Sequence, residues 1–188
     1  TYNIHSIQVL LDGTVWLLTE NDGAIRVVTL PEKNYTTKPE IYSTKSGLFP
    51  ADHFYQVYQD RAGNNWLLTD NGLGMIRPGE WQPVNYFVET QGKQDGMNQA
   101  FYAVRECEDD ICFTSDRGRI WCYQKKSGEF RLHELPTKAR ITSIHAVGND
   151  NTVVTTDSDG FFLSNLKTNK HIHYSPVTCK ELSDQPIL

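Results

Sequence analysis

One pattern recurs four times along this chain, and it constrains the fold more than any other feature. An apolar pair three residues apart opens each unit: Ile4/Ile7, Phe54/Val57, Phe101/Val104 and Ile141/Ile144. A polar turn follows, then a short apolar run ending in threonine: VWLLT to Thr19, WLLT to Thr69, ICFT to Thr114 and VVTT to Thr156. A second turn closes on Gly23, Gly72, Gly118 and Gly160, and a third apolar run follows each glycine. The threonines are 50, 45 and 42 residues apart. That period, with turn and strand signals alternating inside every unit, fits a four-stranded propeller blade better than a helical repeat.

The local chemistry agrees. Asn-Gly and Asp-Gly supply the positive φ that tight hairpins require. Trp16 and Trp66 hold one repeat position, which falls on Ile111 and Val153 in the later units. One large apolar residue per unit at a fixed register suits packing between adjacent sheets. A fourth strand shows best in the middle units, where SGEFRLHEL around Phe130 echoes PGEWQPVNYF around Trp81; this makes Trp81 a packing residue. The expected fold is all-β: a single propeller segment over 1–188 with four repeats of four antiparallel strands. The blades fall at 1–46, 47–97, 98–138 and 139–178, and 179–188 begins a further repeat.

Composition narrows the function classes. A chain of 188 residues buries roughly 70% of its unfolded surface, so its stability need not rest on metal or disulfides. Net charge is −5 and no Lys/Arg block stands out, which argues against a nucleic-acid surface. No apolar run approaches the roughly 18–20 residues of a membrane helix. The four cysteines, 107, 112, 122 and 179, lack the paired spacing of a zinc site.

Catalytic constellations are scarce. Asp60 precedes Gly63 and Trp66, and its simplest role is to cap its own hairpin backbone. Asp157 and Asp159 before Gly160 lack the further acids of a calcium loop. His171 and His173 share a strand face, but catalytic zinc needs a third ligand. Glu106, Glu108, Asp109 and Asp110 crowd one hairpin tip, whereas a glycosidase holds two carboxylates across a sugar, about 5–10 Å apart. No cofactor motif is present. For sugar binding, aromatics with nearby cations are available at Trp81, Tyr86, Tyr102, Trp121 and Tyr123, with Arg105 and Arg119. Tyr102 and Arg105 are the candidate ligand-binding residues.

The second unit, FYQVYQDRAGNNWLLTDNGLGMIRPG, resembles the two-component-regulator propeller repeat through Phe54, Val57, Asp60, Gly63, Trp66, Leu67, Thr69, Gly72 and Leu73. The first unit keeps Gly13 and Trp16 but has Leu10 in place of the Asp. The third is two residues shorter in its first hairpin. Such repeats build periplasmic sensor regions of bacterial hybrid two-component histidine kinases. The resemblance implies an open arc or part of a larger seven-bladed propeller; a closed four-bladed ring is the other arrangement. It implies a non-catalytic, periplasmic, oligosaccharide-sensing segment whose kinase lies elsewhere in the parent chain. Its partners would be the parent's remaining blades and, through apolar end faces, a second copy in a homodimer. An oxidising compartment, with Asp109–Asp110 as a two-residue hairpin loop, would also pair Cys107 with Cys112. The alternatives are a propeller glycosidase or lyase, marked by convergent carboxylates, and a protein-interaction scaffold.

Overall fold

The computed structural model describes residues 2–30, 35–36, 39–87, 99–107, 109–148, 151–175 and 177. The expected further repeat at 179–188 lies outside the described residues, as does Cys179. Among the described residues there is no helix, hence none long and apolar enough to cross a membrane. The chain divides into two compact units, residues 1–101 and 102–188.

The first unit holds two four-stranded antiparallel sheets. Sheet one comprises β1 (Ile4–Val9), β2 (Val15–Thr19), β3 (Ala24–Val27) and β6 (Glu40–Tyr42), with a small hairpin of β4 (Thr29–Leu30) and β5 (Tyr35–Thr36) before the last strand. Sheet two comprises β7 (Phe54–Gln59), β8 (Asn65–Thr69), β9 (Gly72–Ile76) and β10 (Val84–Tyr86). The second unit repeats the plan. Sheet three is β11 (Phe101–Glu106), β12 (Asp110–Ser115), β13 (Arg119–Gln124) and β14 (Glu129–Glu134). Sheet four is β15 (Ile141–Val147), β16 (Asn151–Thr156), β17 (Phe161–Asn165) and β18 (Lys170–Tyr174). Each sheet is an antiparallel meander, interrupted in sheet one by the β4–β5 hairpin between β3 and β6, the construction of a propeller blade.

The punctuation has identifiable work. Thr19, Thr69 and Thr156 each donate a hydroxyl to the carbonyl of the following turn glycine, at 2.7, 2.8 and 2.9 Å. The glycines then bond forward. The N–H groups of Gly23, Gly72 and Gly118 donate to Asp52, Gln99 and Ala139, each two residues before the next inner strand. All four turn glycines have positive φ, from 68° to 97°. At Gly23 a Cβ would stand 2.1 Å from the Tyr42 carbonyl oxygen, and at Gly160 2.1 Å from that of Tyr174, so no larger residue fits.

Packing within the first unit explains the apolar pairs. Phe54 and Val57 of β7 join Trp16 and Leu18 of β2 in one core with Leu67 and Ile76. Ile4 and Ile7 hold the same repeat positions in sheet one, where no described strand covers them, and are 43% and 65% exposed. A β-bulge recurs one residue into three inner strands, between Ile4 and Ser6, Phe54 and Gln56, and Ile141 and Ser143. It re-aims the rest of each strand.

The third unit departs from its expected register. Ser115, not Thr114, donates its hydroxyl across the second turn, to Arg119 O at 3.4 Å. Thr114 instead bonds Ile141 O of the next sheet, at 3.4 Å. The residue equivalent to Trp66 is therefore Cys112 and not Ile111. Ile111 is fully buried, but Cys112 belongs to the core shared with sheet four, as Trp16 belongs to the core shared with sheet two. The first hairpin is one residue shorter, not two.

That register also corrects the disulfide. Cys107 N–H donates to Asp110 O at 2.8 Å, which sets Cys107 opposite Asp110. Cys112 faces Cys122 across β12 and β13, with Cα atoms 4.0 Å apart, and these two form the disulfide. Cys107 is a free thiol. Trp81 is corrected too. It precedes β10 and is 54% exposed, because Val84–Tyr86 supplies the fourth strand of sheet two. Its carbonyl accepts from Tyr42 Oη at 2.8 Å.

Candidate functional site

The site follows from one row of side chains crossing each sheet. In sheet one the row reads Gln8, Trp16, Arg26, Glu40, set by direct pairing of neighbouring strands. In sheet two it reads Tyr58, Trp66, Met75, Val84. A large indole fills the middle of both rows, and in sheet one Arg26 is balanced by Glu40 at 3.3 Å. The same row in sheet three has Cys112 paired with Cys122 and Cys122 with Arg131. Arg105 completes it on β11, four residues after Phe101 as Gln8 is four after Ile4.

Two consequences follow from those residue types. A cystine is much smaller than an indole, and a cavity of about 200 Å³ opens beside it, within the second unit. Arg105, Arg131, His133 and Lys167 bring cations or potential cations to its wall, with Asp110 and Thr152 among the other lining groups. The row also loses its acid, since Arg131 stands where Glu40 stands in sheet one.

Arg105 is half-buried, and its Nη1 donates to the hydroxyl of Thr152, itself fully buried on β16. Its Nε is inaccessible and has no hydrogen-bond partner among the described residues. Neither Arg105 nor Arg131 forms an ion pair among the described residues, although Asp110 lines the same cavity. Asp109, at the rim, is engaged by Lys126 at 2.9 Å, and that contact holds its carboxyl below the usual range. Burial, then the charge on Arg131, pushes the His133 imidazole below its ordinary pKa against the opposing pull of Asp110. His133 therefore presents a neutral ring at neutral pH.

The two sequence candidates do not converge. Arg105 lines the cavity. Tyr102 lies elsewhere on the strand, donating to Asp116 Oδ1 at 3.0 Å, with the Arg140 guanidinium 5.1 Å above its ring. Among the other aromatics, Tyr86 stacks on Trp66 and Tyr123 tilts against Phe130. Arg119 pairs with Glu134 at 3.1 Å. The acidic hairpin disperses: Glu106 is buried against Lys125 Nζ at 2.6 Å, Asp109 turns outward and Asp110 lines the cavity. His171 and His173 take separate partners, Ser164 and Asp159. Among the described residues no three His, Cys, Asp or Glu side chains gather as a metal-ligand set. Sequence reasoning missed Arg131, His133 and Lys167. The signal for two of them was present, since Arg131 and His133 alternate with Phe130 and Leu132 along one strand.

The chain matches no protein-family model and no curated protein. Its fold is shared with solved structures. It is similar to an extracellular domain assigned to a hybrid two-component system of B. thetaiotaomicron, with a TM-score of 0.72 and 18% identity over 92% of this chain and 22% of that one. A second such domain from that organism aligns with a TM-score of 0.64 and 17% identity over 84% of this chain and 21% of that one. Virginiamycin B lyase from Staphylococcus aureus aligns with a TM-score of 0.66 and 18% identity, over 93% of this chain and 56% of that one. At these identities the likeness carries the fold, a set of propeller blades. The chain spans about a fifth of the length of the two extracellular domains.

Proposed function

We propose that this chain is a non-catalytic, ligand-binding stretch of a larger extracytoplasmic sensor propeller. The parent would be a hybrid two-component system, and the ligand an oligosaccharide in the periplasm. The observation that carries this reading is the alignment of nine-tenths of the chain with an extracellular two-component domain. The sequence pattern points the same way through Asp60, Trp66, Thr69 and Gly72.

The residue chemistry suits binding better than turnover. The cavity presents hydrogen-bonding and cationic groups, and its two aspartates are sequence neighbours on one hairpin and do not face each other across a substrate. A ligand held between two blades biases whichever arrangement of those blades it fits best, and only that differential affinity transmits a signal. The lyase likeness favours the enzyme alternative by fold alone.

Membranes carrying the whole parent protein provide the test. Added oligosaccharides should change its autophosphorylation. A parent chain with no phosphorylation activity would overturn the sensor reading.

A further inference from the structure

We propose that the cavity between sheets three and four binds the carboxylate of an acidic sugar, a uronate, through Arg105 and Arg131. This rests on the sensor reading above and names the ligand class of that same site.

Equivalent rows of sheets one and three differ in charge. Sheet one places one arginine in its row and answers it with Glu40. Sheet three places two arginines in the equivalent row, separates them by a cystine and supplies no acid. A buried or half-buried guanidinium without a counter-charge is costly, and native proteins pair such groups. Here Arg105 finds one hydroxyl, on Thr152, and leaves Nε inaccessible and unbonded. The indole that fills this space in the first two sheets is absent, so the half-buried Arg105, which no carboxylate pairs among the described residues, faces a cavity that Asp110 and the exposed Arg131 also line.

The vacancy selects its occupant by charge and size. The exposed Arg131 guanidinium can present a fork to the two oxygens of a carboxylate, while Arg105, with Nη1 on Thr152 and Nε inaccessible, offers only its terminal nitrogens. A volume of about 200 Å³ lies below the roughly 300–1,000 Å³ of drug-sized ligand pockets. One charged sugar ring suits it better than a chain. The remaining wall suits sugar hydroxyls: the neutral His133 ring and the Asp110 carboxylate can each take part in a hydrogen bond. Leu166 and the disulfide offer apolar surface to the ring's C–H faces, and Lys167 adds a further cation.

The test is calorimetry on the whole chain at fixed ionic strength, with D-glucuronate and D-galacturonate, then D-glucose and D-galactose, then sodium sulfate. At least one uronate should bind, and its neutral parent and sulfate at least about tenfold more weakly, because each lacks either the charge or the ring hydroxyls. Arg131→Gln should weaken uronate binding by a similar factor. Arg131 is exposed, so its thermal midpoint should stay unchanged, which keeps the test independent of folding. Arg105→Gln should act in the same direction and serves as the second variant. Sulfate binding as well as the uronate would overturn the proposal in favour of a plain anion site. Neutral sugars binding equally, with Arg131→Gln silent, would overturn the site and leave the sensor reading standing. Absence of uronate binding would also overturn it. Conversion of any sugar would overturn the sensor reading itself.

Discussion

The Trp66 indole N–H donates to Asp60 Oδ2 at 2.9 Å, in the interior of sheet two. The same carboxylate accepts from the backbone N–H groups of Ala62 and Asn64 and from the Asn64 side chain. One buried acid thus closes the first hairpin and fixes the indole that packs beyond it. In sheet one Leu10 stands in the place of Asp60, and Trp16 Nε1 is buried with no acceptor among the described residues.

Asp60→Ala should therefore cost about 2–4 kcal/mol, since the buried Trp66 indole N–H and three part-buried donors lose one acceptor together. Trp66→Ala should cost about 3–5 kcal/mol through the cavity it leaves. A double-mutant cycle with Trp66→Phe, read by urea denaturation, should show coupling to Asp60. Additive effects would contradict the shared role.

The turn glycines give a second prediction. Gly160→Ala places a Cβ 2.1 Å from the Tyr174 carbonyl oxygen at a φ of 68°. The positive φ alone costs about 1–3 kcal/mol, and the collision adds to it. Gly47→Ala, at a φ of 73° in open space, is the control and should cost less. Equal denaturation midpoints for the two variants would contradict the close approach.

How much of this was legible in the sequence follows from where each signal lies. Gly23, Gly72 and Gly160 announce themselves because a tight turn is local chemistry. Trp16 and Trp66 do so because sheets one and two share one hairpin length. The third unit failed at adjacent hydroxyl residues, Thr114 and Ser115. Either satisfies the pattern, and only the neighbouring sheet decides between them. The cavity was illegible for a related reason. Arg105, Cys112, Cys122 and Arg131 come from four strands, and a one-residue slip turns each strand's side chains to the other face. The bulges after Ile4, Phe54 and Ile141 leave no trace in residue type.

The disulfide closes a loop spanning a sequence separation of 10. Replacing Cys112 and Cys122 with serine should cost about 2–3 kcal/mol by the loop-entropy relation. Non-reducing peptide mapping should find these two linked and Cys107 alkylated. A Cys107–Cys112 link would contradict the register of sheet three.

Stability should also depend on pH through His133. Its protonation is disfavoured in the fold by burial, then by Arg131 and His171, with Asp110 opposing. His171 is lowered by burial as well. The unfolded chain then binds more protons as pH falls through the histidine range, so this contribution is full above that range and lost below it. The urea midpoint should drop from about pH 7.5 to about pH 5, and His133→Gln should flatten the drop. An unchanged slope in that variant would remove His133 from the account.

The exposed apolar row on β1 and just beyond it, Ile7, Val9 and Leu11, at 65%, 68% and 89% exposure, should drive self-association of the isolated chain. Light scattering should show a mass that rises with concentration, and Ile7→Glu with Val9→Lys should abolish the rise. A monomer at every concentration would show that this face needs no cover.

The central claim, binding without turnover, is tested most directly by recovering the ligand. Neutral and acidic oligosaccharides, incubated with the chain after calorimetry has identified a binder, should be recovered unaltered by mass spectrometry. Any cleaved or rearranged glycan, in amounts exceeding the protein present, would contradict the account and identify the chain as part of an enzyme.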